Sequence, residues 1–227
     1  MVKNEKNFWE EKIYGEGKHL NRYPYDCVVS FIYNYYPKDK AKENVNIIEI
    51  GCGAGNNIWF CAKEGFKVAG IDISKTAIDY AKNRLRQENL KGDLRQGSFT
   101  ELPWEKELYD IGIDRCSTVC VGLEEQKIAI AEMYRVLKKG GLFFFNGYSC
   151  NHTSSMGNNR SEIKKGEIKK KGSLDEIESI SYLSEAQLHE LFANKWEVIS
   201  MKQINEVESM GERKEIDSEW RVIAKKI

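Results

Sequence analysis

Three glycines within five residues, Gly51, Gly53 and Gly55, stand directly after the apolar run Val45-Asn46-Ile47-Ile48-Glu49-Ile50. No other feature of the chain restricts its fold so tightly. The run is too short for a helix and is closed by glycines, which suits a strand buried on both faces of a parallel sheet. Without Cβ atoms the backbone beyond it can turn sharply and let a ligand approach closely. Residues 54 to 64, stopped by Gly65, then read as a helix, and Phe66 to Asp72 as a second strand, which makes a βαβ unit. Asp72 falls about 20 residues after the glycines, where a carboxylate can accept hydrogen bonds from a ribose diol.

The alternation continues. Ser74 can cap a helix whose Ile78, Ala81 and Leu85 share one face, and Leu94 to Phe99 is a third strand. Leu108 to Ile113 is a fourth. Glu124 to Leu137 is a helix expected to end in Lys138-Lys139-Gly140-Gly141, a basic last turn followed by a glycine cap, and Leu142 to Gly147 is the fifth strand. Ser184-Glu185-Ala186-Gln187 has the capping-box form and opens a helix through Leu188, Leu191 and Phe192. Two strand-like segments follow, Trp196 to Gln203 and Ser218 to Lys225. The pattern predicts an α/β, doubly wound, mostly parallel seven-stranded sheet with an antiparallel edge hairpin. A single domain over 1–227 is expected, divided into an aromatic-rich helical leader or cap (1–45), a cofactor-binding core (46–147), a substrate lid insertion carrying the basic run Lys164 to Lys171 (148–180), and a helix with the closing hairpin (181–227).

Composition narrows the partners. Lys and Arg together number 35, and so do Asp and Glu, a balance that argues against nucleic acid as the main partner. No apolar run reaches the roughly 18 to 20 residues of a membrane span, and residues 1 to 16 are charged rather than signal-like, so a cytoplasmic protein without membrane contact is expected. The six cysteines (27, 52, 61, 116, 120, 150) lack zinc-type spacing. They read as reduced, mostly buried thiols, with no metal expected.

Asn56 occupies the position at which a dinucleotide fingerprint has its third glycine; here that glycine is Gly55, and an acid, Glu49, stands two residues before the first. With Gly70-Ile71-Asp72-Ile73-Ser74, Gly97-Ser98-Phe99, Tyr109 to Asp114 and Arg135-Val136-Leu137-Lys138-Lys139-Gly140-Gly141 in the same order, residues 45 to 227 resemble the class I S-adenosylmethionine-dependent methyltransferases. The resemblance implies their Rossmann-like fold, S-adenosyl-L-methionine as cofactor and S-adenosyl-L-homocysteine as product. It implies cofactor contacts from Tyr14, Glu49, Gly51, Cys52, Gly53, Gly55, Asn56, Asp72, Ile73, Ser98, Phe99 and Asp114. Ser98 departs from the pattern, since relatives commonly carry an Asp there.

Methyl transfer from a sulfonium is an in-line displacement in which the protein mainly aligns the reacting atoms. A base matters only for an acceptor that must lose a proton. The candidate catalytic residues are His152, just past the fifth strand, Arg115, just past the fourth, and His19 in the leader; His189 rides on a distant helix. Arg115 is read either as a contact for a substrate anion or as a salt-bridge partner of Asp114 or Asp110. Arg22, Tyr23, Tyr25 and Tyr148 complete the expected substrate wall. The acceptor is expected to be a small, polar, anionic metabolite such as a sugar or phosphorylated glycan precursor. Methylation of tRNA, DNA or protein competes with this reading, although Asp114-Arg115-Cys116-Ser117 stands where an Asn-Pro-Pro-Tyr-like motif would serve it. Outside the methyltransferases, the glycine loop and Asp72 would also suit an NAD-dependent oxidoreductase or a non-catalytic cofactor-binding partner protein. Monomer and homodimer are both compatible with the sequence.

Overall fold

The run after Asn46 forms β1 (Asn46–Ile50), with Ile47, Ile48 and Ile50 fully buried, in a computed structural model that describes residues 8–156, 180–210 and 215–227. Successive side chains of a strand point to opposite faces, so Ile47 joins one apolar layer and Ile48 and Ile50 the other. The same alternation in β5 (Leu137–Tyr148) sends Phe144 to the first layer and Phe143 and Phe145 to the second. A sheet covered on both faces is what this apolar density requires, each fully buried aromatic or branched side chain being worth roughly 1.5 to 3 kcal/mol.

Between these strands lie β2 (Lys67–Asp72), β3 (Asp93–Gln96) and β4 (Tyr109–Arg115), and the chain closes with β6 (Trp196–Glu208) and β7 (Glu215–Lys226). The seven strands run in the order β3-β2-β1-β4-β5-β7-β6. Strands β1 to β5 pair in parallel, and β7 is antiparallel to both β5 and β6. The helices are α1 (Asp26–Tyr35), α2 (Asn56–Lys63), α3 (Lys75–Gln87), α4 (Leu123–Val136) and α5 (Glu185–Leu191), with a single π-helical turn at Phe8–Tyr14. Ser74 caps α3 by accepting from the Ala77 N–H, and Ser184 with Gln187 forms the expected capping box on α5. Strand order reverses between β1 and β4, which opens a crevice at their carboxyl ends.

Three boundaries differ from the sequence reading. The third strand stops at Gln96, because the Gly97 N–H turns to the Asp72 carbonyl at 2.9 Å and carries residues 97–99 away from the sheet. α4 ends at Val136 rather than running into the lysines: Leu137 is already extended, and Lys138 to Gly141 belong to β5. The reason is a long-range carboxylate. Asp110 accepts from Lys138 Nζ at 2.8 Å and Lys40 Nζ at 2.7 Å, while Gly140 at φ +77° accommodates the bend. The hairpin strands also run longer than predicted. Most of the proposed lid, including Lys164 to Lys171, lies outside the described residues. Among the described residues no helix is long and apolar enough to cross a membrane.

Candidate functional site

The loop between β1 and α2 is held open by its own backbone. Gly51 and Gly53 have φ of +59° and +51°, and each faces a neighbour at the distance a side chain would need. A Cβ on Gly51 would come within 2.3 Å of the Ser117 Cβ, and one on Gly53 within 2.4 Å of the Tyr14 hydroxyl. Asp72, at the end of β2, ties the loop down: its two carboxylate oxygens accept from the Gly53 and Ser74 N–H groups, both at 2.9 Å. Burial nevertheless pushes its pKa up to about 6.

Glu49 sits at the next depth. It is 2% exposed; one oxygen accepts from Asn57 Nδ2 at 2.7 Å and the other has no partner. Burial, beyond what the Asn57 hydrogen bond offsets, pushes this carboxyl up to about 8. Asn57 Oδ1 in turn accepts the Tyr25 N–H at 3.0 Å, and Asn56 Nδ2 donates to the Tyr23 carbonyl at 2.9 Å.

A cavity of about 200 Å³ opens above these residues. Glu49, Gly51, Cys52, Gly53, Asn56, Asp72, Ile73 and Phe99, all named from the sequence as cofactor contacts, lie together on one side of it. The leader closes the other side through Trp9, Tyr14, His19 and Tyr25. It is pinned there by Glu10, whose carboxylate accepts from Ser74 Oγ at 2.6 Å and from Thr76 Oγ1 at 2.8 Å at the start of α3.

Arg115 and Tyr148 complete the wall. The Arg115 guanidinium lies 4.1 Å from the centre of the Tyr25 ring, and its Nε is buried without a hydrogen-bond partner. Neither salt bridge considered from the sequence forms. Asp114 accepts from the Ser117 N–H and the Thr118 hydroxyl, and Asp110 takes the two lysines. The Tyr25 hydroxyl accepts from Asn21 Nδ2 at 3.0 Å, so this ring is held at its face, its edge and its backbone.

Six predicted residues stay out of the cavity. Gly55 faces Ala81 on α3, Ser98 bonds to Thr100 at 2.6 Å, and Asp114 is fully buried capping the turn after β4. Arg22 and Tyr23 point outward, Tyr23 being 74% exposed, and contribute only their carbonyls to Arg84 and Asn56. His152, predicted to face substrate, instead packs against the rings of Tyr148 and Tyr182; its Nδ1 accepts from the Ser154 N–H at 3.0 Å and its Nε2 lies 3.3 Å from Asp217 Oδ1. His189 is exposed beside Glu185. Sequence reasoning missed Asn21, Asn57, Cys116, Ser117 and Cys120, all of which reach the cavity. For Asn57 a signal existed: a second polar residue in the first turn of a helix that is then apolar until its last residue, Lys63. Among the described residues no group of three or more His, Cys, Asp or Glu could hold a metal ion.

Residues 47–141 match the model of a methyltransferase domain family. Among curated relatives, a putative methyltransferase of Geobacillus sp. (strain WCH70) is 28% identical over 143 residues, 62% of this chain and 58% of that protein. A tRNA N(3)-methylcytidine methyltransferase of Schizosaccharomyces pombe is 30% identical over 119 residues, 49% of this chain and 38% of that one. The match thus spans about half the length of such relatives. Among solved structures, a SAM-dependent methyltransferase from Methanosarcina mazei superposes with a TM-score of 0.71 at 22% identity, covering 90% of this chain and 99% of that chain.

Proposed function

We propose, from the premise that residues 47–141 form a class I S-adenosylmethionine-dependent methyltransferase domain, that the chain is an enzyme moving the methyl group of S-adenosyl-L-methionine to a small anionic acceptor. One observation carries this reading. A buried carboxyl with a free oxygen, Glu49, and the half-buried Arg115, whose Nε is buried without a partner, face the same cavity. Such groups are costly to leave unpaired: Arg115 selects an anion, and a cation at the free oxygen of Glu49 would draw that carboxyl into its charged form.

The residues present fit the cofactor. Glu49 would hold the ammonium of its amino acid moiety, with the Gly51 to Gly53 backbone and Tyr14 around that moiety, Asp72 at the ribose, and Ile73 and Phe99 flanking the base. The cofactor contributes an electrophilic methyl group on a sulfonium. Everything else is alignment by the chain. Arg115 and Tyr25 would grip the acceptor's anionic group, with Tyr148 beside them, and the pinned leader would exclude water. With His152 packed away from the cavity, His19 is the histidine in the wall. An acceptor hydroxyl, which must lose its proton on methylation, would find its base there. A carboxylated or phosphorylated metabolite, a sugar phosphate among them, has the required charge.

The test is S-adenosylhomocysteine release from the labelled cofactor with anionic metabolites, their neutral analogues and bulk tRNA in parallel. An anionic metabolite should turn over, and Arg115→Lys, which keeps the charge but loses the planar fork, should lower kcat/KM at least tenfold while S-adenosylhomocysteine affinity holds within threefold. A neutral acceptor turned over equally fast, with Arg115→Lys silent, would remove the anionic class. Turnover of tRNA alone would transfer the assignment to the second reading, which the Schizosaccharomyces pombe relative motivates.

A further inference from the structure

Asn57 bridges Glu49 and the Tyr25 backbone and uses both ends of its amide. It is 1% exposed; Nδ2 donates to Glu49 Oε1 at 2.7 Å and Oδ1 accepts the Tyr25 N–H at 3.0 Å. A helix-capping role does not account for it, because the cap of α2 is Gly55 and no side chain serves that position. Its neighbour Asn56 grips the same leader segment two residues earlier, through the Tyr23 carbonyl. Two consecutive asparagines of the cofactor loop's helix therefore hold residues 23 to 25, and Tyr25 is the residue against which Arg115 stacks.

We infer that Asn57 is a positioning residue that couples occupancy of the cofactor loop to the shape of the acceptor wall, so that the acceptor site is completed only after the cofactor has bound. The inference rests on the methyltransferase reading above. An amide is planar, so directing Nδ2 at Glu49 directs Oδ1 away from it, toward the Tyr25 N–H. An ammonium at the free oxygen of Glu49 fixes the carboxylate in its charged form. The Asn57 hydrogen bond then becomes charge-assisted, shorter and stronger. Stiffening at one end of a two-bond bridge stiffens the other, and Tyr25 is held more firmly beneath Arg115. The coupling is reciprocal, as linkage requires: an anion on Arg115 should tighten cofactor binding by the same factor.

Hydrogen exchange at the Tyr25 amide reads this directly, because that N–H is donated to the Asn57 side chain. Exchange by NMR is compared with and without saturating S-adenosylhomocysteine, whose Kd is measured on the same samples. In the wild-type protein the ligand should slow Tyr25 exchange at least tenfold. Asn57→Asp is isosteric and keeps an oxygen for Tyr25 but loses the donor to Glu49; there the slowing should fall below twofold at saturation. Asn57→Ala, where it folds, should expose the amide in both states. A wild-type protein that binds S-adenosylhomocysteine without slowing Tyr25, or an Asn57→Asp variant with the full effect, overturns the coupling and leaves the methyltransferase reading standing. Failure of the wild-type protein to bind S-adenosylhomocysteine at all overturns both.

Discussion

Glu49 is an acid that the sheet holds protonated, and the consequence is a pH dependence opposite to that of ordinary paired carboxylates. Its pKa is pushed up to about 8 by burial from an ordinary 4.5, and Asp72 and Asp114 are each pushed up to about 6 from 3.8. Between the ordinary and the raised value the native state keeps a proton that the unfolded chain has released, so stability falls as pH rises through that window. Above about pH 7 Asp72 and Asp114 have lost their protons and Glu49 is the one of these three still titrating, at about 1.4 kcal/mol per pH unit as its value of about 8 is approached. The urea midpoint of the ligand-free protein should fall between pH 7 and 8, and in Glu49→Gln it should stay nearly level there; a wild-type midpoint unchanged between pH 7 and 8 would refute the assignment. The glycines, Glu49 and Asp72 were legible because their spacing follows the chain from strand to turn to strand. His152 was not. Position past a strand end says where a residue stands along the sheet, not which way it turns, and the Ser149–Leu183 bridge with its following turn folds residues 150–156 away from the cavity.

Among the elements, the first leader segment, Phe8–Tyr14, rests on a polar anchor from one side chain, Glu10. Its π-helical turn is too short to be stable alone, and Glu10 anchors it by placing a carboxylate on the first turn of α3, where Ser74, Thr76 and the helix dipole all favour negative charge. Glu10→Ala removes hydrogen bonds together worth about 1 to 3 kcal/mol. Trypsin should then cut at Lys12 and Lys18 several-fold faster while the circular dichroism of the sheet is unchanged; equal cleavage rates would mean that Trp9 and Tyr14 hold the leader by packing alone. The sequence revealed the leader as an aromatic segment but not where it docks. A carboxylate that caps a helix some 64 residues away leaves no local pattern. The end of α4 differs from its sequence pattern for a related reason: Lys138 matches a basic last turn in the sequence, and only the fold brings Asp110 to claim it.

For the whole molecule, a ligand that binds only the folded state raises stability by mass action, about 2.7 kcal/mol at one hundred times its Kd. S-adenosylhomocysteine at that excess should raise Tm by roughly 5 to 10 °C for a chain of this length, and NAD at the same concentration should leave it in place. An equal shift with NAD would overturn the cofactor assignment. The parallel half of the sheet was legible from the alternation of strands and helices, whereas the placement of β7 inside the hairpin was not. Its mark is burial on both faces, with Trp220, Val222 and Ala224 inside and their neighbours half-buried, against the largely exposed β6. During synthesis this arrangement imposes an order of events. β5 leaves the ribosome with one flank bare, and the next strand to emerge, β6, is not its partner; the flank waits for residues 215–226. A row of phenylalanines and open backbone groups is therefore exposed on the nascent chain until nearly the whole sequence described here has been made, which is the interval in which a chaperone has something to hold.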